Sequence, residues 1–349
     1  MATSKLYDTL IIGSGPGGLS TALGLGRQNR TCLVVSHNLF RNDGIEASHG
    51  VLGHDHIHPR TIWAKGQEQI KRYGNTSYVE AEIVLAEKQK ISQWNGREGF
   101  MIKSKDSRSW TGKTMVLATG VRDLLPNLNG YRENWPRNIY QCLFCDGWER
   151  RHDQKAVLAI PEFNMQCAKM ASMALGLDIE RNNHGSAKVT ILTNGPFNSE
   201  AVDSTLAKQA RALAARGVKI DQRKIVNLEN AEPGKEGVHV HFEDDNQSIE
   251  RVFFGFIVHK PETALNAEHL IQQLGIETEQ GMWGAVMKTQ APMQATNVPG
   301  VFAAGDSGNL MTHVTTAMTS GIGAASGIVH YLNELDDEVA LVEVGYGRA

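Results

Sequence analysis

The chain has 349 residues, 41% of them hydrophobic, and a formal net charge of -3. That length exceeds the size at which a single core keeps growing and predicts two domains. The near-balanced charge gives no electrostatic reason to expect nucleic acid or an anionic membrane, and a small organic molecule is the expected partner. Met1 to Asp8 leads into Thr9-Leu-Ile-Ile without a basic segment or an apolar core of signal type, and no stretch is long enough to span a bilayer. A cytoplasmic protein is therefore expected.

The first element reads as strand, glycine turn and helix: Leu10-Ile11-Ile12, then Gly13-Ser-Gly15-Pro16-Gly17-Gly18, then Leu19 to Gln28, followed by a strand over Thr31 to Val35. In that frame Gly13 allows a tight turn, and Gly15 lets backbone amides approach a pyrophosphate at the helix N-terminus. The acidic residue expected about twenty positions on is missing, because the second strand ends in Ser36 and His37. Gln67 to Arg108 reads as mixed helix and short strands, and Lys113 to Gly120 as a strand ending in glycine. Val121 to Pro126 is then a connection suited to a domain crossing.

Only four cysteines occur, too few for a disulfide framework. Cys32 and Cys167 fall in apolar elements and read as small core residues. Cys142 and Cys145, in Gln-Cys-Leu-Phe-Cys-Asp-Gly-Trp, have the C-x-x-C spacing of a redox-active pair. No second C-x-x-C completes a zinc site, and no metal is expected.

The strand and helix pattern restarts after Trp148. It places a strand at Ala156 to Ile160, a helix at Met165 to Leu177, a strand at Lys188 to Leu192 and a helix at Ala201 to Arg216. Gly237 to Glu250 alternates like a hairpin with Val238, Val240 and Phe242 on one face, and Phe253 to Val258 reads as one further strand. Val298-Pro-Gly-Val-Phe-Ala-Ala-Gly-Asp306 reads as a strand delivering an aspartate at its carboxyl end. A helix over Thr312 to Val329 follows, and Asn333 to Glu343 reads as a solvated acidic tail.

Four motifs now stand in order: Gly13 to Gly18, Ala118-Thr119-Gly120, Cys142-Leu-Phe-Cys145-Asp146-Gly147, and Gly300-Val-Phe-Ala-Ala-Gly305-Asp306. In order and rough spacing they resemble the low-molecular-weight thioredoxin reductases, over essentially the whole chain. The resemblance implies an α/β protein of two Rossmann-like dinucleotide-binding domains, the second inserted into the first, usually as a homodimer. It implies FAD bound by residues 1–120 and 253–349, with the inserted domain, 121–252, carrying the redox cysteines. It assigns Gly13, Gly15, Pro16, Gly17 and Gly18 to the cofactor, together with Ser36, His37, Arg41, Asn42 and His49. Thr119, Gly120, Gly305, Asp306 and Val314 complete that set. Asp306 can accept hydrogen bonds from ribityl hydroxyls, and the helix N-terminus at His313 and Val314 can stabilise negative charge on the flavin. Among the catalytic residues the resemblance implies, Cys145 faces the flavin, Cys142 meets the substrate and Asp146 serves as an acid. His313 is a further catalytic candidate, the alternative being a helix-start residue facing solvent.

One departure from the family redirects the function. A nicotinamide domain needs a glycine-rich loop after its first strand, yet Pro161-Glu-Phe-Asn-Met165 stands there, with no glycine between Gly147 and Gly176. Glu162 would meet phosphate with like charge. After the next strand, where NADPH users place basic residues, the chain reads Thr193-Asn-Gly-Pro, with no arginine until Arg211. The chain therefore resembles the thioredoxin reductase-related dithiol oxidases that close disulfides in gliotoxin- or holomycin-type metabolites. Phe40-Arg-Asn-Asp43, His49 to Asp55 and Phe144 also look like that subgroup. The function this implies is FAD-dependent oxidation of a small-molecule dithiol, with O2 as acceptor and hydrogen peroxide as product. The alternatives are an NADPH-dependent disulfide reductase and a flavin oxidase of a non-thiol compound.

His49, His54, His56 and His58 crowd one segment around Asp55. On a strand, His54, His56 and His58 would project to one side as metal ligands; a general base for the substrate thiol, or a solvated loop, are the other readings. Phe144, Trp148 and Trp63 are candidates either for an apolar substrate pocket or for core packing.

Overall fold

The computed structural model describes residues 5–177, 188–197, 204–244, 246–344 and 346. They form two compact units, one containing residues up to 43, 58–123 and 263 onward, the other 44–57 and 124–262.

The first unit opens with β1 (Leu6–Ile12), α1 (Pro16–Arg27) and β2 (Cys32–Ser36). Both strands are almost wholly buried apolar runs, as parallel strands covered on two faces must be. Asp8 is the charged residue of β1; it accepts hydrogen bonds from Thr31 N at 2.8 Å and Lys113 Nζ at 2.7 Å. Next come α2 (Pro59–Lys71), β3 (Thr76–Glu80), β4 (Ile83–Ile91), β5 (Arg97–Ser104), β6 (Ser109–Leu117) and β7 (Val121–Asp123). β4 and β5, of nine and eight residues, are longer than the short strands expected over Gln67 to Arg108; they pair antiparallel, and each leaves one face solvated. The sheet runs β3-β2-β1-β6-β5-β4, with its β3-β2-β1-β6 half parallel.

The second unit contains α3 (Tyr131–Asn134), β8 (Ile139–Tyr140), β9 (Lys155–Leu158), α4 (Met165–Gly176), β10 (Val189–Leu192), α5 (Ser204–Ala215) and β11 (Lys219–Asp221). The expected helix start at residues 201–203 lies outside the described residues. A three-stranded antiparallel sheet follows, from β12 (Lys224–Asn230), β13 (Val238–Glu243) and β14 (Ile249–Phe254). Val238, Val240 and Phe242 are buried as their alternation requires, in a cluster with Tyr131, Ile139 and Leu158. The single strand expected over Phe253 to Val258 is two. At Gly255 the chain leaves this sheet, and β15 (Phe256–Val258) joins the parallel order β11-β10-β9-β15-β8. Gly255 is obligatory there: a Cβ would lie 2.2 Å from Asp153 Cβ.

The chain then re-enters the first unit through β16 (Thr263–Leu265), paired with β7, and continues as α6 (Glu268–Leu274), β17 (Thr278–Gln280), β18 (Ala285–Met287), β19 (Val301–Ala303) and α7 (Val314–Glu343). β19 adds parallel to β6 at Met115 to Leu117, beyond the residues that β6 shares with β5. α7 runs 30 residues, so Asn333 to Glu343 is its last three turns and not a tail. No glycine or proline interrupts that stretch, and Arg97 Nη1 donates to Leu335 O at 3.1 Å while Arg30 pairs with Asp336. The small-residue stripe of α7 lets it lie close on α1: a Cβ on Gly321 would be 2.3 Å from Gly17 O. Among the described residues, no helix is long and apolar enough to cross a membrane.

Candidate active site

Cys142 and Cys145 form a disulfide in the second unit, with Cα atoms 5.2 Å apart. One helical turn brings them together, because Cys145 N and Asp146 N both donate to Cys142 O, at 3.1 and 3.0 Å. Gly147, at φ +111°, ends that turn in a conformation that side chains rarely adopt. Cys32 and Cys167 are free and buried, as expected of core residues, and burial raises the Cys32 thiol to about 11.

Residues 44–57 bring a histidine to this pair. The segment is closed by Ser48 N donating to Ile57 O at 2.8 Å, and folded inside by Gly50 N donating to Asp55 Oδ1 at 2.9 Å. His49 Nδ1 lies 2.5 Å from Cys145 O. A carbonyl can only accept, so Nδ1 is the donor, and the other ring nitrogen, Nε2, lies 3.5 Å from Glu149 Oε1. Asp146 Oδ1 is 3.8 Å from His49 Nδ1. Burial pushes the Asp146 carboxyl up to about 6; His49 opposes the rise and Glu149 adds to it.

The three alternating histidines do not share a strand face. His54 closes a turn by donating its N–H to Val51 O at 2.8 Å, His56 has φ +58° beside Asp55, and His58 caps α2 by accepting from Arg60 N at 3.2 Å. Of the aromatic candidates, Trp63 is buried at 4% exposure and belongs to the core. Phe144, 80% exposed, lies between the cysteines in sequence, and Trp148, 56% exposed, follows them.

The second unit's own βαβ turn is closed. Asn164 Oδ1 accepts from Cys167 N at 3.0 Å and caps α4, while Phe163 is buried edge-on to Phe197 with ring centroids 4.8 Å apart. After β10, the Asn194 carboxamide oxygen is taken by Ile225 N at 2.7 Å.

The corresponding turn of the first unit is open. α1 has Gly15 at its N-cap with no side-chain cap and no acidic residue in its first turn, which leaves its amides and positive dipole end for an anion. A Cβ on Gly13 would sit 2.2 Å from Ala118 O and one on Gly18 2.0 Å from Gly13 O, whereas one on Gly15 would meet nothing within 4 Å. Beside the turn is a cavity of about 250 Å³ lined by Ser14, Ser36, Asn38, Lys71, Tyr78 and Glu80, among others. The hydroxyls of Ser14 and Tyr78 are buried without a hydrogen-bond partner. A glycine cradle, an uncapped helix and two unsatisfied hydroxyls fit the adenosine and pyrophosphate of a dinucleotide.

The remaining expected residues of this unit fall around that turn and at the carboxyl end of β19. Ser36 Oγ accepts from Asn38 N at 3.1 Å; His37 is exposed and Asn42 half-buried. Thr119 and Gly120 are held by Asn266, whose Nδ2 donates to Thr119 O at 3.0 Å and whose N donates to Gly120 O at 3.1 Å. Gly305 N donates to Ser320 Oγ at 2.9 Å. Arg41 is paired with carboxylates: Nη1 reaches Asp306 Oδ2 at 3.0 Å, and Nε and Nη2 reach Asp123 at 3.0 and 2.6 Å. His313 is the N-cap of α7, accepting from Thr315 N at 3.4 Å, with half-buried Val314 beginning the helix. Sequence reasoning missed Asp123, Asn266, Glu149 and Tyr78. Only Glu149, two residues past the cysteine motif's glycine, carried any signal.

An open dinucleotide turn in one βαβ unit and a disulfide C-x-x-C in the other define a flavin-type disulfide oxidoreductase. The sequence model of the pyridine nucleotide-disulphide oxidoreductase family matches residues 7–321, and the chain belongs to that family, among its thioredoxin reductase-like members. It is 33% identical to thioredoxin reductase tcpT of Claviceps purpurea, over 92% of each chain. To thioredoxin reductase sirT of Leptosphaeria maculans it is 32% identical, over 94% of this chain and 95% of that one. An oxidoreductase structure from Agrobacterium tumefaciens superposes with a TM-score of 0.77 at 28% identity, covering 94% of this chain and 99% of that one. The protein is an FAD-binding oxidoreductase with two Rossmann-like domains.

Proposed function

We propose that the protein is an FAD-dependent dithiol oxidase that closes an intramolecular disulfide in a small molecule and delivers the electrons to O2. The observation that carries this reading is the closed turn before α4. Asn164 occupies the helix N-terminus and Phe163 fills the position beside it, where a pyridine nucleotide's pyrophosphate needs bare amides.

The glycine turn at Gly13, Gly15, Pro16, Gly17 and Gly18 would hold the FAD pyrophosphate, with Ser14, Ser36 and Tyr78 toward the adenosine. Thr119, Gly120, Gly305 and Asp306 would line the remainder, and the α7 N-terminus at His313 and Val314 would favour negative charge there. Bound FAD supplies the two-electron acceptor that returns the cysteine pair to the disulfide and passes the electrons to O2 as hydrogen peroxide.

The protein's own residues carry the sulfur chemistry. A substrate thiolate attacks Cys142 Sγ; a new S–S bond forms, the Cys142–Cys145 bond breaks, and Cys145 leaves as thiolate. The second substrate thiolate attacks the substrate sulfur of that mixed disulfide, closing the product and releasing Cys142. Two substrate S–H groups are thereby oxidised and the cysteine pair is reduced by two electrons. Both substrate protons need acceptors. His49 offers its Nε2 lone pair, with its ring oriented by the Cys145 carbonyl, and Asp146 is the carboxyl next to it. Exposed Phe144 and Trp148 suit an apolar substrate.

The names of the relatives favour a second reading, a disulfide reductase, for which NADPH would be the electron donor. Anaerobic rapid mixing separates the two. Dithiothreitol should bleach the flavin's visible absorption within seconds while equimolar NADPH leaves it unchanged; bleaching by NADPH at the faster rate would establish the reductase.

Arg41 bridges Asp123 and Asp306, so Arg41→Gln leaves two neighbouring carboxylates without their shared cation, at a cost on the order of 3 kcal/mol. The variant is expected to emerge from gel filtration with less than half the wild-type FAD per chain and a lower Tm. Full FAD content would remove Asp306 from the cofactor site.

A further inference from the structure

His49, His56 and Glu149 converge in the second unit with one ligand atom each, all within 4.8 Å of one another. Glu149 Oε1 is 3.5 Å from His49 Nε2 and 3.9 Å from His56 Nδ1. Three ligands at about 2.0–2.1 Å from a tetrahedral ion are roughly 3.3 Å apart, so small side-chain shifts close this triangle.

The nitrogens that do not face the triangle are the stronger argument. Each histidine that binds a metal usually donates its other N–H to a carbonyl or carboxylate, which fixes the tautomer and aims the lone pair at the ion. His49 does this with Nδ1 on Cys145 O, and His56 has a carboxylate within reach, its Nε2 lying 3.3 Å from Asp55 Oδ2. The two rings meet edge to face, with centroids 4.7 Å apart, and each turns one nitrogen, His49 Nε2 and His56 Nδ1, toward Glu149. Two imidazoles and one carboxylate, with a fourth position open, suit Zn2+ and not the all-oxygen shell that Mg2+ prefers.

We propose that His49, His56 and Glu149 form a zinc site beside the redox disulfide. The site rests on these positions and not on the oxidase reading. Its consequence for that reading is that a bound ion takes the Nε2 lone pair of His49, so metal-loaded protein lacks that base.

The test is equilibrium dialysis of the FAD-loaded full chain, with the Cys142–Cys145 disulfide closed, against zinc sulfate. Bound metal is counted by elemental analysis. Dithiols chelate zinc, so none is present. One zinc per chain is expected at low micromolar free metal, undiminished by millimolar Mg2+. His56→Ala and Glu149→Gln should each weaken binding at least tenfold, with the flavin spectrum and Tm unchanged. Both side chains are exposed, so neither change should disturb folding. Failure of the wild type to bind at 50 micromolar free zinc, or binding equally tight in both variants, would overturn the site.

Discussion

Cys142→Ser and Cys145→Ser should each lower dithiol-dependent hydrogen peroxide production by roughly 10³-fold or more, while both variants remain yellow and folded. Each replacement removes one half of the only S–S bond among the described residues, so no electrophilic sulfur remains for a substrate thiolate to attack. The effect should be all-or-none, unlike the loss of a hydrogen-bonding neighbour. Cys167→Ala provides the control: that thiol is buried in α4, and the change should cost some stability but leave turnover within about twofold. Dithiothreitol is a suitable reporter because it closes to a six-membered disulfide by the proposed two-step exchange. If either serine variant retains more than a tenth of wild-type peroxide production, the cysteines are bystanders and a non-thiol substrate must be sought.

The second large effect concerns the cofactor, and it separates folding from binding within a single turn. A Cβ at Gly18 would press to 2.0 Å from Gly13 O, backbone against which nothing flexible can yield. Gly18→Ala should therefore distort the β1–α1 turn and reduce soluble yield. Gly15 differs: its φ of -69° suits alanine, and its Cβ would meet nothing within 4 Å. The open space there is what an approaching pyrophosphate would use. Gly15→Ala should accordingly fold with the Tm of the FAD-free wild type, yet bind FAD at least about a hundredfold more weakly, as read by titration of the flavin fluorescence. Undiminished FAD affinity would move the pyrophosphate away from this turn.

The parts of the fold that the sequence announces are those whose cause is local. The β1–α1 turn is legible because strand, glycines and helix lie within a few residues, and the alternation of Val238, Val240 and Phe242 states which face is buried. The missing glycines after β9 are equally visible, and the structure adds what replaced them: an asparagine cap and a buried phenylalanine. Features built from distant residues were not legible. Nothing in the histidine-rich segment announces that His49 meets the carbonyl of a cysteine 96 positions later, or that His58 serves as a helix cap. Nor does the sequence announce that Arg41 pairs with Asp123 and Asp306, 82 and 265 positions away. The acidic stretch after Asn333 resembles a tail because its charges are solvated, but solvation of one face is also what the end of a long surface helix requires.

The central claim is that electrons enter through a dithiol and leave through O2 without a pyridine nucleotide. Steady-state oxygen uptake by the purified FAD-loaded protein measures this directly. With dithiothreitol alone, uptake should proceed at a rate that NADPH neither raises nor replaces. Uptake that requires NADPH, or an enzyme that consumes NADPH to reduce a disulfide while dithiol alone leaves the oxygen trace flat, would contradict it.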